Sequence, residues 1–414
     1  MSSSEKLAIH GGPKAVSVPL KKRFHFGKEE KEAVDRLFDQ CIAEGDPISY
    51  NGPEEEAFCR EFVEFIGGGY ADGVSSGTNA IFTSLHALDL KPFSEVIVGC
   101  VTDPGGMMPV VMNNCIPIPA DSEPGKYNTG AEQVEARITP QTSAIVVAHI
   151  AGEPADIKGI MEVADRHGIP VVEDCAQAHA ATVDGQFVGT FGTYGAFSTM
   201  HGKHICTGGQ GGIVYSKTED LYWRARRSAD RGKPFGIENP SGNVIAAINC
   251  NMDEITAAIG RAQLKKLSSI VEGRRNFLKM LMDRGLGDLK AITVPEIPSN
   301  VKSSIWWVRL GINLKALTCS RQEYFDALKA EGVMFGDNYR AALPMTFPWF
   351  TNRKNRHPWN NPLCQGDPCR DIPCPNVMQS MEDNFNFTIY ENWGSDEADM
   401  IIKAFQKLDK AFTR

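Results

Sequence analysis

The 414-residue chain is 42% hydrophobic and 23% charged, which excludes the depleted, highly charged composition of a disordered protein. A formal net charge of -8 argues against a general nucleic-acid binder, which needs a basic surface to neutralise phosphates. No apolar run approaches transmembrane length, so neither a membrane nor a nucleic-acid partner is expected.

The N-terminal stretch MSSSEKLAIHGGPKAV lacks the apolar core of a secretory leader, and a cytoplasmic location is the expectation. Eleven cysteines without such a leader read as reduced thiols. Residues 1–30 form an N-terminal segment. From there to 262 short apolar runs alternate with helical patterns, as in parallel strands joined by crossover helices. SEVIVGC, SAIVVAHI, GIPVVEDCA and GGIVYS are the clearest strands. The predicted fold class is therefore α/β: a large domain, 31–262, whose mostly parallel central sheet lies between helices, and a smaller α+β domain, 263–414. The second domain opens on one long predicted helix, RAQLKKLSSIVEGRRNFLKMLMDRG, and closes on DEADMIIKAFQKLDKAF. Between them, 344–376 is rich in Pro, Asn, Cys and aromatics and reads as a long functional or flexible loop.

Four features follow one another in the large domain. In GVSSGTNAIFTSLHAL, Ser75 to Thr78 precede a helix whose N-terminal amides suit an anion, and small residues let a phosphate approach; Ser and Thr are equally ordinary helix caps. In GIPVVEDCAQAHAA, Asp174 ends an apolar strand, where ligands of open α/β sheets bind, although a single acid there is often just exposed. FSTMHGKHICTGGQGG places Ser198 and Lys203 ahead of a glycine-rich turn. INCNMDEITAAIGRAQL places Asn249 and Asn251 before a helix. The cluster RARRSADRGK reads as a solvated helix end or an anion site. Cys364, Cys369 and Cys374 fit neither a zinc nor an iron–sulfur spacing, and no metal is expected.

Pyridoxal 5'-phosphate asks for the first three features together: a phosphate cradle (Ser75 to Thr78 with Ser198), an acid for the pyridine nitrogen (Asp174) and a lysine for the Schiff base (Lys203). In that order the motifs SSGTNAI, VVEDCAQAHAA with VGTFGTYGAFS, the lysine with its glycine-rich follower, and NCNMDEITAAIGRAQL resemble the DegT-type sugar aminotransferases of fold-type I. The resemblance implies catalytic roles for Lys203 and Asp174, a ring contact for Gln177, and phosphate contacts for Gly77, Thr78 and Ser198. Asn249 matches a position that reaches the phosphate from the neighbouring subunit, which implies a homodimer with shared active sites. The implied reaction moves an amino group from glutamate or glutamine to the keto or aldehyde group of a sugar or cyclitol-like substrate. A keto-sugar dehydratase, in which histidine replaces the lysine, and a non-catalytic regulator on the same fold are the alternatives. VTDPGG offers Asp103 and Pro104 where many relatives carry a ring-stacking aromatic, Gln210 stands where an acid is usual, and Asn251 where arginine is common.

Overall fold

The structure is a computed structural model that describes residues 6–23 and 25–414. A seven-stranded sheet organises the first part of the chain. Its strands run in the order Tyr70–Val74, Gly212–Ser216, Tyr194–Ser198, Val171–Asp174, Thr142–Ala148, Glu95–Gly99, Ile116–Ala120. The five strands from Tyr194–Ser198 to Ile116–Ala120 are mutually parallel. Their residues are almost wholly buried, as expected where helices cover both faces, and each fully buried Val or Ile contributes about 1.5–3 kcal/mol.

One of the four clearest strands departs from the parallel expectation. Gly212–Ser216, the GGIVYS segment, pairs antiparallel with both Tyr70–Val74 and Tyr194–Ser198. A parallel pair needs a crossover, and the chain between Ser198 and Gly212 forms no helix with which to make one. The sheet remains mostly parallel, and the antiparallel turn is the segment that carries Lys203.

The second core gathers Phe277, Leu281, Leu310, Phe325, Phe385 and Phe405 around a small antiparallel sheet of Ile292–Thr293, Val308–Ile312, Asn384–Phe387 and Phe335–Gly336. Leu7, Ala15 and Val16 pack into this core, so the start of the chain lies against its end. The predicted long helix is two: Glu254–Leu264 and Leu267–Asp283. At the break, the Lys266 amide turns to the Gln263 carbonyl three residues back, and its ammonium is drawn to Glu29 and Glu30.

The 344–376 loop contains only short helical turns, yet it is anchored to the large core by the buried Phe350 and Trp359 and by an ion pair from Arg370 to Glu95. Cys374 lies with Cys100 and Asp121, whose carboxylate already accepts the amides of Ser122, Asn376 and Val377. In the basic cluster, Arg226 turns inward onto Asp72 at 2.6 Å, while Arg231 and Lys233 pair with Asp230; these charges are matched within the chain. Among the described residues no helix is long and apolar enough to cross a membrane.

Candidate active site

The site forms where three strands end. Ser76 caps the helix Gly77–Ala87, its hydroxyl accepting the Asn79 amide, and the Gly77 and Thr78 amides have no acceptor among the described residues. Such a helix start attracts an anion. Ser198 closes the strand Tyr194–Ser198 directly against it: a Cβ on Gly77 would lie 2.5 Å from the Ser198 Cβ, so only glycine permits this approach. The Thr78 hydroxyl faces Gly105 in the same way, 2.3 Å from where a Cβ would stand.

Asp174 ends its strand between these groups and the lysine. One of its oxygens accepts the Ala176 amide at 3.0 Å, and the other lies 3.2 Å from where a Cβ on Gly106 would be. Burial raises its pKa above the usual carboxylate range. The Ala176 amide and the charges of Lys203 and His149 oppose that rise, and Asp103 adds to it. Asp103 caps the helix Pro104–Met112, its Oδ1 accepting the Gly105 amide at 2.9 Å. It brings a second negative charge to the site rather than a ring.

Lys203 sits at the tip of the antiparallel turn. The neck of that turn is pinned by the Thr199 and Thr207 hydroxyls, 2.7 Å apart. The lysine is 7% exposed, and among the described residues its Nζ has no hydrogen-bonding partner. Burial lowers its pKa from the ordinary lysine value, against the pull of Asp174 and Asp103. Burial makes the charged ammonium costlier than it is in water, which is the cause of that lowering. Next to it in sequence, His204 places Nε2 3.1 Å from the Ser304 carbonyl.

Gln177 is fixed at both ends. Its Oε1 accepts the Ala151 amide at 2.9 Å and its Nε2 donates to the Tyr339 hydroxyl at 2.9 Å. The structure therefore brings Gly77, Thr78, Asp174, Gln177, Ser198 and Lys203 into one region. Asn249 stands apart: it is exposed, and its Oδ1 accepts the Asn251 backbone amide at 3.1 Å and side-chain amide at 2.9 Å.

Two aromatic residues of the site escape sequence reasoning. The Trp306 ring centroid is 4.1 Å from Lys203 Nζ, and the half-buried Tyr339 accepts from Gln177 through its hydroxyl, with its phenol pKa raised by burial. The only signal for them was the aromatic richness of SSIWW and of the loop after 335. No spacing tied either to the lysine.

These residues fit pyridoxal phosphate. Free helix amides and the Ser198 and Thr78 hydroxyls suit its phosphate, a strand-end carboxylate suits its ring nitrogen, and an unpaired buried lysine suits its aldehyde.

Comparison with known proteins gives the same direction. The model of the DegT/DnrJ/EryC1/StrS aminotransferase family matches residues 28–405. The UDP-N-acetyl-3-dehydro-alpha-D-glucosamine 3-aminotransferase of Acidithiobacillus ferrooxidans is 32% identical over 283 residues, 68% of this chain and 73% of that one. The L-glutamine:2-deoxy-scyllo-inosose aminotransferase of Micromonospora echinospora is 34% identical over 251 residues, 58% of this chain and 59% of its own length. The solved aminotransferase from Psychrobacter cryohalolentis superposes with a TM-score of 0.81 at 26% identity, covering 93% of this chain and 98% of that one.

Proposed function

The chain belongs to the DegT/DnrJ/EryC1/StrS aminotransferase family and is a pyridoxal-phosphate-dependent aminotransferase; from that premise we propose that it moves an amino group from glutamate or glutamine onto the keto or aldehyde carbon of a sugar or cyclitol-like substrate. One observation carries the reading: a buried lysine without a hydrogen-bonding partner faces a strand-end carboxylate beside a glycine–serine cradle at a helix start.

In this reading Gly77, Thr78 and Ser198 would hold the phosphate, Asp174 would pair with the ring nitrogen, and Gln177, its amide oriented by Ala151 and Tyr339, would contact the ring. When bound, the cofactor supplies an electron sink conjugated to the nitrogen being moved. The protein's own part is proton traffic and orientation. Lys203 would anchor the cofactor at rest; once the donor's amine has displaced it, its free Nζ would take the proton from the donor's α-carbon in the first half-reaction and, in the second, supply a proton to the acceptor carbon. A cation paired with Asp174 at the ring nitrogen keeps that acid ionised against its burial, so each group sets the other's protonation. Trp306 shields the lysine from water on one side.

Asn249, exposed in a single chain, reaches the phosphate as Asn249 of the partner subunit in a homodimer. Its segment also exposes Ile237, Val244, Ile245 and Ile248, at 40–52%, which is the apolar surface such a dimer would cover. All eleven cysteines are unpaired thiols, in keeping with a reducing cytoplasm.

The test is stopped-flow spectroscopy of the holo-protein. Mixing with glutamate or glutamine should change the cofactor's visible absorption in a single turnover, and a keto-sugar or keto-cyclitol should reverse it. No change with either amino acid would remove the donor assignment. A donor reaction that no polyhydroxylated carbonyl compound reverses would remove the acceptor class.

A further inference from the structure

At the backbone that carries the lysine, two arginines share one carboxylate. The Arg23 Nε donates to Glu391 Oε1 at 2.8 Å and the Arg274 Nε to Glu391 Oε2 at 3.0 Å. The side chains of Arg23, Glu391 and Arg274 are only 10%, 13% and 2% exposed. Both guanidinium groups also donate to backbone carbonyls. Arg23 donates to the carbonyls of Lys203 at 2.6 Å and His204 at 2.8 Å. Arg274 donates to those of Ile305 at 3.0 Å and Trp306 at 2.5 Å. The two carbonyl pairs belong to the two walls of the lysine slot. Trp306 ties these walls together, its indole N–H donating to the Gly202 carbonyl at 2.9 Å while its ring faces Lys203 Nζ.

The held backbone is strained. Ile305 has a φ of +52°, a left-handed conformation that a β-branched residue rarely adopts. Ala151, which faces it and donates to Gln177, has a φ of +64°. Strain of this kind persists only where surrounding contacts over-determine it, and here it sits beside the reacting amine. Arg23 itself lies on the N-terminal segment, whose course is fixed by Trp393 donating to the Lys21 carbonyl at 2.9 Å and Asn392 to that of Lys22 at 2.6 Å.

We infer that Arg23, Glu391 and Arg274 form a positioning clamp that sets the backbone of Lys203 and the Trp306 indole against each other, so that the N-terminal segment completes the lysine slot. The inference rests on the reading of Lys203 as the cofactor's anchor. A guanidinium is suited to the task because its rigid planar fork spreads its donors over a carboxylate and two carbonyls in one plane, whereas the compact ammonium of a lysine, with its three rotating N–H bonds, cannot hold that planar spread.

The experiment uses holo-protein of the wild type and of Arg23→Ala, Arg23→Lys and Glu391→Gln. It records the pH midpoint of the visible cofactor band, the circular dichroism of that band and the rate of cofactor release into excess apo-acceptor. The clamp predicts a displaced midpoint, reduced visible dichroism and release at least about tenfold faster in all three, since the Arg23 variants lose the forked guanidinium that holds the Lys203 and His204 carbonyls and Glu391→Gln loses the charge that holds both guanidiniums in place. A merely structural role would lower the melting temperature and leave the midpoint, the dichroism and the release rate of the folded protein unchanged. That result would overturn the inference. Should Arg23→Ala not fold, Arg23→Lys and Glu391→Gln decide the matter by the same readouts. Borohydride reduction followed by peptide mapping separates the two levels: a wild type not labelled at Lys203 removes the anchor reading, whereas a labelled wild type with unaltered variants removes only the clamp.

Discussion

The Lys203 ammonium nitrogen lies 4.1 Å from the centroid of the Trp306 indole, and Trp306 in turn donates to the carbonyl of the residue preceding that lysine. The pair closes one side of a slot in which the amine has no hydrogen-bonding partner among the described residues. Removing the side chain should therefore leave the fold standing, because no hydrogen bond of the slot depends on Nζ. Lys203→Ala is expected to unfold close to the wild-type midpoint, to lose turnover to background and to give no borohydride-stable cofactor adduct. Normal transamination by this variant would refute the assignment.

Tyr339 and Gln177 give a second expectation. Tyr339→Phe keeps the ring but leaves the Gln177 amide N–H without its acceptor in a buried site, a loss of about 1–3 kcal/mol. Denaturant unfolding should show that loss, and cofactor affinity should fall with it as the amide gains freedom to turn. Unchanged stability and affinity would mean that Gln177 finds another partner.

The folded protein should also be sensitive to acid through its buried histidines. Both ring nitrogens of His179 lack partners, and burial next to Lys203 lowers its pKa to about 3 from the usual 6.5. His25, beside Arg23, is lowered to about 4, chiefly by burial. Below pH 6.5 the unfolded chain takes up protons that these folded imidazoles refuse, so stability falls as pH falls. For His179 the slope is up to about 1.4 kcal/mol per pH unit, between 6.5 and about 3. Urea midpoints measured from pH 7 to 4 should decline, and His179→Gln should flatten the decline. A variant as acid-sensitive as the wild type would place the effect elsewhere.

What could be read from the sequence, and what could not, follows from the range of the interactions. Asp174 was legible because an apolar run that stops on an acid states its own geometry, and Ser198 and Lys203 because a glycine-rich turn follows them within ten residues. The direction of Gly212–Ser216 was not, since an apolar strand looks the same whichever way it runs; only the missing crossover helix betrays it. The break at Lys265–Lys266 is likewise made by distant acids, Glu29 and Glu30. Arg23, Trp306 and Tyr339 meet the site across more than 100 residues of chain, where periodicity carries no information.

Asn249 offers a test of assembly that needs no structure of the dimer. If it serves the phosphate of the opposite subunit, Lys203→Ala and Asn249→Ala homodimers are each impaired, but subunit exchange yields one site with both residues intact. Mixing should restore up to about a quarter of wild-type activity on random reassortment, half of the dimers being mixed and each carrying one complete site of two. An active monomer at assay concentration, or a mixture no better than its parts, would show that Asn249 acts within its own chain or not at all.

Asp174 separates a working aminotransferase from a protein that merely binds the cofactor. Burial favours its neutral form, and the charge of Lys203 together with the Ala176 amide favours its carboxylate. A cation at the ring nitrogen tips this balance to the ionised form and is held by it. Asp174→Asn keeps the size and can keep a hydrogen bond at that position, but it removes the charge. Cofactor binding should therefore weaken only modestly, while the single-turnover reaction with glutamate or glutamine slows by about 10²–10⁴-fold, the range for losing a positioned acid–base group. Measuring both quantities on the same preparations distinguishes the outcomes. A variant that binds normally and reacts as fast as the wild type would make Asp174 a strand-end acid held by Ala176, and the proton path drawn through Lys203 would then need a different counter-charge, for which Asp103, whose charge acts on both Lys203 and Asp174, is the candidate.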